Sequence, residues 1–216
     1  MAWDLPGHGN SPASAAPFSV ADLADAVAAL ARSLTDAPIH YAGVSLGGAT
    51  GLELVLRHPD LVGATAVVAS GAQLGDPAAW HARAAQVRAQ STSTLIAASA
   101  SRWFAPDSLA REPGLSGRLL HALRDADGES YAACCEALAD YDVRPLLPQI
   151  ASPVLAVWGE FDQVAPEPKA DEIARGVRHG RSIRIADAAH LPPAEQPDAV
   201  AAALGEFFRT TDEEEQ

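Results

Sequence analysis

Short apolar runs alternate along the chain with longer stretches in which apolar residues recur every three or four positions. The apolar runs are typical of strands buried in a sheet, and they lie at 39–44, 65–69, 154–158 and 182–185. Helical periodicity occupies residues 18–34, with Ser19 at the N-cap position, and residues 46–57 and 195–208. Strands that alternate with helices predict an α/β fold with a mostly parallel sheet flanked by helices. The acidic residues 212–216 are expected to fray.

One connection breaks this alternation. Between Ser70 and Pro153 there is no convincing strand pattern, although most connections in compact domains have 2–6 residues. Helical patterns occur there instead, at 77–90, 94–104, 115–124 and 129–139. We therefore expect an inserted helical cap at 71–150, within a core formed by residues 1–70 and 151–216.

The charge and the cysteines exclude some classes of protein. The chain has 15 basic and 28 acidic residues, a net charge of −13, which argues against nucleic acid or an anionic membrane as partner. It has neither an apolar run approaching 18 residues nor a signal-peptide pattern, so we expect a cytoplasmic protein. The only cysteines, Cys134 and Cys135, are adjacent, which excludes a disulfide framework and predicts two small buried side chains.

The segment AGVSLGG at 42–48 carries the clearest chemical signal. It contains G-x-S-x-G between a predicted strand and a predicted helix, the context in which this motif presents a nucleophilic serine. We interpret Ser45 as the nucleophile and the Leu46 backbone N–H as an oxyanion donor. The glycines are expected because side chains would clash in so tight a turn. The alternative is a glycine-rich packing turn.

A serine nucleophile needs a base, and the base needs an acid to orient it. His190 follows the last predicted strand and precedes the closing helix, whereas the other histidines lie in less suitable places. Asp162 directly follows the strand that ends at Trp158; Glu160 and Asp76 are its rivals. The order Ser45, Asp162, His190 is the serine–acid–histidine order of α/β-hydrolases. The sequence contains no cluster of residues with the spacing of metal ligands.

Four segments, WDLPGHGNS, AGVSLGG, WGEFDQVAP and AAHLPPAEQP, resemble the α/β-hydrolase family along the whole chain. Three cap segments, WHARAAQVR, RWFAPD and YAACCEALADYDVR, resemble the 3-oxoadipate enol-lactonases of aromatic catabolism. The chain departs from that pattern at Pro192-Pro193, where those enzymes have Ser-Asn. This departure loosens the assignment of the substrate but leaves the proposed triad unchanged.

The resemblance implies a cofactor-free serine hydrolase that opens a five-membered enol-lactone through an acyl-enzyme. Its substrate is a small anionic molecule, so a cation is needed; Arg83 and Arg102 are the candidates, with Trp80 and Trp103 as apolar walls. The alternatives are another cofactor-free hydrolase, such as a carboxylesterase or haloperoxidase, or a catalytically impaired fragment that serves as a binding module. The sequence does not define an oligomeric state.

The resemblance also bears on the first residues. Ala2–Leu5 has the pattern of the end of a buried strand, and the family has three further strands before it. A second oxyanion donor would come from the loop after the third of these strands. We therefore expect that the chain is the C-terminal portion of a larger enzyme and that the edge of the strand at 39–44 is exposed.

Overall fold

The computed structural model describes residues 1–14 and 16–214. Its centre is a four-stranded sheet in the order β1-β2-β3-β4, in which every neighbouring pair is parallel. The strands are β1 (Ile39–Val44), β2 (Val62–Val68), β3 (Val154–Gly159) and β4 (Gly180–Ile185). All four strands therefore end at one edge of the sheet, where their following loops gather.

Helices flank the sheet and fill the long connection between β2 and β3. The helices of the sheet region are α1 (Val20–Arg32), α2 (Leu46–Arg57), α8 (Glu167–Gly176), α9 (Pro192–Glu195) and α10 (Pro197–Glu214). Residues 71–150, which we call the cap segment, contain α3 (Pro77–Gln90), α4 (Ile96–Trp103), α5 (Ser108–Arg111), α6 (Pro113–Asp125) and α7 (Gly128–Ala139). Within the described residues, no helix combines the length and the apolar character needed to cross a bilayer.

The central strands β2 and β3 are buried on both faces, as their apolar sequences predict. Alternate residues of β2 and β3 point to opposite sides: Val67 and Ala156 join the core with α1, α2 and α8, whereas Val68 and Leu155 join the core under α10. Burial of both faces makes the sheet a rigid support for the loops at its carboxyl edge.

The helix and strand boundaries agree closely with the expectations, apart from a few differences. Residues 1–5 are not part of a strand; Trp3 and Leu5 pack against the core instead, without ladder bonds to β1. The closing helix is two helices, since Gln196 before Pro197 has a non-helical backbone, with φ −137° and ψ 61°, and divides it. The chain is helical through Glu214, so residues 212–214 do not fray as expected, while residues 215–216 of the predicted tail lie outside the described residues.

Helices α3 and α7 pack closely because small residues face each other between them. Ala84 of α3 meets Ala132 and Cys135 of α7, and all three are almost fully buried. At the exposed rim of this contact, Arg88 forms salt bridges with Glu129 and Glu136. The buried contact, rather than the exposed salt bridges, is expected to hold the pair together.

The relative contributions of the buried contact and the exposed salt bridges can be tested with Ala84→Leu and Arg88→Gln. The larger side chain at position 84 has no space and should lower the free energy of unfolding by about 1–3 kcal/mol. Loss of the exposed salt bridges should lower it by less than about 1 kcal/mol. Urea unfolding followed by circular dichroism measures both. A larger loss in Arg88→Gln than in Ala84→Leu would contradict this account of the packing.

Candidate active site

The structure brings Ser45, Asp162 and His190 together at the carboxyl edge of the sheet. Ser45 follows β1, Asp162 lies in the loop after β3, and His190 lies in the loop after β4. In parallel α/β sheets this edge is where ligands bind, since the loops that follow the strands converge there. Residues that are far apart in sequence thus become neighbours.

Ser45 occupies a strained turn between β1 and α2. Its backbone has φ 54° and ψ −115°, a region that residues other than glycine rarely adopt. Gly43 permits this turn, because a Cβ at that position would lie inside contact distance of the Gly47 carbonyl group. The Ser45 N–H donates to the Val68 carbonyl oxygen at 2.9 Å, and Ser70 Oγ donates to the Ser45 carbonyl oxygen at 2.7 Å. The turn is therefore fixed from β2 as well as from β1.

The expectation that every glycine of the motif avoids a clash is wrong for Gly47. The nearest atom to a Cβ added at that position would be Tyr41 Oη, at 3.9 Å, which is an ordinary contact. Gly48 is the more crowded position, because a Cβ there would lie 2.6 Å from Ser70 Cβ. The steric need for glycine thus falls on Gly43 and Gly48. The sequence motif alone does not distinguish them from Gly47.

Helix α2 begins directly after Ser45, which occupies its N-cap position. Leu46 is the first residue of the helix, so its N–H has no acceptor within the helix. The positive end of the helix dipole adds to the attraction of this N–H for an anion. Leu46 N–H is therefore placed to bind an oxygen that becomes negative next to Ser45.

His190 joins the serine to the aspartate. His190 Nε2 lies 3.1 Å from Ser45 Oγ, and His190 Nδ1 lies 3.0 Å from Asp162 Oδ2. An ionised carboxylate only accepts hydrogen bonds, so Nδ1 carries the proton and Nε2 presents a lone pair to the serine hydroxyl. This arrangement can remove the proton from Ser45 as it attacks an electrophile.

Burial raises the pKa of Asp162, but stronger opposing contacts leave it below the ordinary aspartate value. The hydrogen bond and charge of His190 lower the pKa, and so do the N–H groups of Ala165 and Val164. These two N–H groups donate to Asp162 Oδ1 at 3.0 and 2.7 Å. Asp162 is therefore held as a carboxylate although it is buried.

The two rival acids have other roles. Glu160 accepts hydrogen bonds from Arg184 and from the N–H of Asp187, so it holds the loop that leads to His190. Asp76 caps α3, because its side chain accepts a hydrogen bond from the N–H of Ala79. Of the three candidate acids, Asp162 is the one that contacts the imidazole.

A cavity of about 500 Å³ lies between the sheet edge and the cap segment. Ser45 and His190 open onto it from the sheet side. The cap segment contributes all four side chains that the sequence suggested for substrate binding: Trp80, Arg83, Arg102 and Trp103. The arrangement places two aromatic walls and two cations in the same cavity as the serine.

Arg83 and Arg102 have no carboxylate partner in the part of the chain that the structure describes. Arg83 lies over the ring of Trp80, 5.3 Å from its centre, and its Nη1 is 3.5 Å from Tyr131 Oη. Burial lowers the pKa of Arg102, and the positive charge of Arg83 lowers it further. Two mutually repelling guanidinium groups without an anion would be stabilised by a negatively charged ligand.

The cavity also has walls that the sequence did not suggest. Leu5 and His8 of the opening loop line it, and so do Tyr131, Cys134 and Cys135 of α7. The adjacent cysteines are free and buried, as expected, and burial raises the pKa of both thiols to about 12. The helical periodicity of α7 was a signal for burial, but it could not show that the buried face meets a cavity. In the described part of the chain, no three histidine, cysteine or carboxylate side chains are grouped closely enough to bind a metal ion.

A sequence profile described as the alpha/beta hydrolase fold matches residues 1–197 of the chain. The chain therefore belongs to the α/β-hydrolase family, an assignment that agrees with its parallel sheet. The fold expected from the sequence is thus confirmed. So is the expected class of enzyme, an ester or lactone hydrolase.

Several relatives are similar over most of the chain. 3-Oxoadipate enol-lactonase 2 of Acinetobacter baylyi is 34% identical over 92% of this chain and 74% of its own length. A pimeloyl-[acyl-carrier protein] methyl ester esterase of Neisseria meningitidis is 32% identical over 95% of this chain and 81% of its own length. The crystal structure of the enol-lactonase from Burkholderia xenovorans superimposes with a TM-score of 0.91 at 32% identity, covering 95% of this chain and 79% of that one.

The contrast between two glycines of the Ser45 turn gives a test. Gly43→Ala places a Cβ against the Gly47 carbonyl group, so it should disrupt the turn and reduce ester hydrolysis by at least about 100-fold. Gly47→Ala meets no close atom and should fold with a melting temperature near that of the parent. Hydrolysis of p-nitrophenyl acetate and thermal unfolding measure the two effects. Equal losses of activity and melting temperature in both variants would show that the contact with the Gly47 carbonyl group does not determine the need for glycine at position 43.

The lowered pKa of Asp162 predicts a pH-dependent contribution to stability. A carboxyl group with a lowered folded-state pKa stabilises the fold above its unfolded pKa of about 3.9 and loses that contribution as the pH falls through the folded value. The difference in free energy of unfolding between the parent and Asp162→Asn should therefore be largest near neutral pH and shrink below about pH 4. Urea unfolding at several pH values measures it. A difference for Asp162→Asn that is independent of pH would contradict the prediction.

Proposed function

We propose that the protein is a serine hydrolase that opens 3-oxoadipate enol-lactone to 3-oxoadipate. The observation that carries this proposal is the pair of guanidinium groups, Arg83 and Arg102, in the cavity onto which Ser45 and His190 open. A small lactone with a carboxylate would occupy such a cavity with its anion on the arginines and its carbonyl carbon at the serine. The similarity to enol-lactonases of Acinetobacter and Burkholderia supports the same substrate.

The first half of the reaction forms an acyl-enzyme. His190 Nε2 takes the proton of Ser45 Oγ as that oxygen attacks the lactone carbonyl carbon. The carbonyl oxygen becomes negative and accepts a hydrogen bond from the Leu46 N–H. Asp162 keeps Nδ1 protonated and stabilises the imidazolium that forms. When the tetrahedral intermediate collapses, the ring C–O bond breaks, and the His190 imidazolium gives its proton to the departing enol oxygen, which returns the imidazole to its neutral form.

The second half releases the product. The enol stays attached to the acyl chain and becomes a ketone as its O–H proton is lost and a proton is gained on carbon, so it is a good leaving group that does not attack the ester again. A water molecule then binds near His190. His190 removes a proton from this water molecule as the water oxygen attacks the acyl carbon. His190 returns that proton to Ser45 Oγ, and 3-oxoadipate leaves with two carboxylates. Neither half of the reaction uses a cofactor.

A second candidate is hydrolysis of a methyl ester. It is favoured by the similarity to pimeloyl-[acyl-carrier protein] methyl ester esterases, whose identity of 32% is close to that of the enol-lactonases. The same serine, histidine and aspartate would perform that reaction. The two candidates differ in what the arginine pair would bind, since the lactone carries its own carboxylate close to the reacting carbonyl group.

A substrate comparison distinguishes the candidates. We expect the enol-lactone to be hydrolysed with a higher kcat/KM than p-nitrophenyl acetate or monomethyl pimelate. Ser45→Ala should lower kcat/KM for all of these substrates by at least about 10³-fold, while the remaining groups of the site keep a residual rate above that in water. A parent enzyme that prefers p-nitrophenyl acetate or the methyl ester would overturn the proposed substrate, and a fall of less than about 10-fold in Ser45→Ala would overturn the serine mechanism.

The arginine pair gives a sharper prediction. Arg83→Gln or Arg102→Gln should raise KM for the enol-lactone about 10- to 100-fold, since a hydrogen bond to a charged group contributes about 1.5–3 kcal/mol. The kcat value should change little, because the arginines bind the carboxylate equally in the ground and transition states. Steady-state kinetics on the enol-lactone measure both constants.

Two controls accompany this experiment. The KM for the neutral p-nitrophenyl acetate should stay unchanged in both arginine variants, because that ester has no carboxylate. Arg118→Gln, which removes an exposed arginine of α6, should leave KM unchanged for both substrates. An equal rise in KM for the neutral and the anionic substrate would show that the arginines shape the cavity without binding the anion.

A further inference from the structure

Glu195, at the end of α9, connects two distant parts of the chain through its carboxylate. Its Oε2 accepts a hydrogen bond from the N–H of Ala189 at 2.6 Å, and its Oε1 accepts one from the N–H of Ala105 at 2.7 Å. Ala189 immediately precedes His190. Ala105 lies two residues after Trp103, at the end of α4 in the cap segment. A single carboxylate therefore joins the histidine loop to the cap segment.

Both N–H groups depend on this carboxylate. Ala189 is 1% exposed and Ala105 is 5% exposed, so water has little access to either residue. A buried N–H without an acceptor is strongly unfavourable, so loss of the carboxylate would force both segments to shift toward other partners. Ala189 immediately precedes His190, and Ala105 follows Arg102 by three residues and Trp103 by two.

Other hydrogen bonds of the histidine loop reach Gln196, whose Nε2 donates to the Asp187 carbonyl oxygen at 3.2 Å, and the segment that follows β3. The N–H of Phe161 donates to the Ala188 carbonyl oxygen at 2.9 Å, and Glu160 Oε2 accepts from the N–H of Asp187 at 3.1 Å. These bonds tie the loop to the segment that carries Asp162. Glu195 adds a connection in the opposite direction, toward the wall of the cavity that contains the cations.

We propose that Glu195 is a positioning residue that sets the His190 loop and the end of α4 relative to each other. The proposal rests on the proposed function, in which His190 is the general base and Arg102 binds the substrate carboxylate. Glu195 does not touch the substrate in this account. It keeps the distance between the base and the anion-binding wall constant, so that a carboxylate held by the wall presents its lactone carbonyl group to Ser45.

The variant Glu195→Gln tests the proposal with almost no change in size. An amide oxygen accepts one of the two N–H groups, but the amide NH₂ then faces the other donor. We expect the rate at which Ser45 reacts with a small fluorophosphonate to fall about 10- to 100-fold, because displacement of the base by a fraction of an ångström to about 1 Å has effects of this size. Mass spectrometry of the labelled Ser45 peptide, corrected for the folded fraction, measures the rate. The kcat on the enol-lactone should fall in proportion.

Two further variants separate positioning from general stability. Glu206→Gln removes an exposed carboxylate from α10 and should label at the parent rate. Ala105→Pro removes the cap N–H while the Glu195 carboxylate and its bond from Ala189 remain, and Phe104, with φ −118° and ψ 140°, has the extended backbone that a following proline requires. This variant should raise KM for the enol-lactone at least several-fold while Ser45 labelling stays near the parent rate. It keeps the proposal testable even where Glu195→Gln folds poorly.

The outcomes distinguish this proposal from the proposed substrate. If the parent labels at Ser45 but does not open the enol-lactone, the substrate assignment fails and the labelling rates still decide the role of Glu195. If folded Glu195→Gln labels at the parent rate, or if Ala105→Pro leaves KM unchanged, Glu195 has no positioning role. If the parent does not label at all, the serine mechanism and the positioning role fail together.

Discussion

The strained backbone of Ser45 is the constraint on which the site depends. A residue with a side chain in this conformation is unfavourable by about 1–3 kcal/mol and persists only where its surroundings fix it. Here the surroundings are β2, whose Val68 accepts the Ser45 N–H, and Ser70 in the following loop, whose hydroxyl holds the Ser45 carbonyl group. The turn is thus a product of the whole central sheet rather than of five consecutive residues.

A second close approach fixes the acid and the base. A Cβ at Gly159, the last residue of β3, would collide with the carbonyl groups of Ala188 and Ala189, so the histidine loop passes directly over the end of that strand. The same strand leads into the loop of Asp162. Gly43 and Gly159 therefore lie at two points of the site where backbone meets backbone, and together they allow three loops to converge within hydrogen-bonding distance.

The sequence predicted the parts of the molecule in which local pattern and tertiary environment agree. The apolar runs of β1 to β4 and the Ser19 cap of α1 depend on neighbours in sequence, so they could be predicted from it. The G-x-S-x-G turn could be predicted because its motif is local, although Val68 and Ser70 fix its backbone. Residues 1–5 show the limit of prediction from local pattern, because a strand-like segment forms a strand only beside a hydrogen-bonded neighbour. The roles of Ser70 and Glu195 could not be predicted either, since each depends on a partner 25 to 90 residues away. The same holds for the placement of His8 and Tyr131 on the cavity wall, which only the fold determines.

The aromatic walls of the cavity have a spectroscopic consequence. Of the four tryptophans in the chain, Trp80 and Trp103 line the cavity, whereas Trp3 and Trp158 pack against the core. The Trp80 indole N–H is fixed on the Leu74 carbonyl oxygen at 2.6 Å, and the Arg83 guanidinium lies over its ring. An anion that draws Arg83 away would change the electric field at this indole. The intrinsic fluorescence of the protein is therefore a built-in reporter of cavity occupancy that needs neither a label nor turnover.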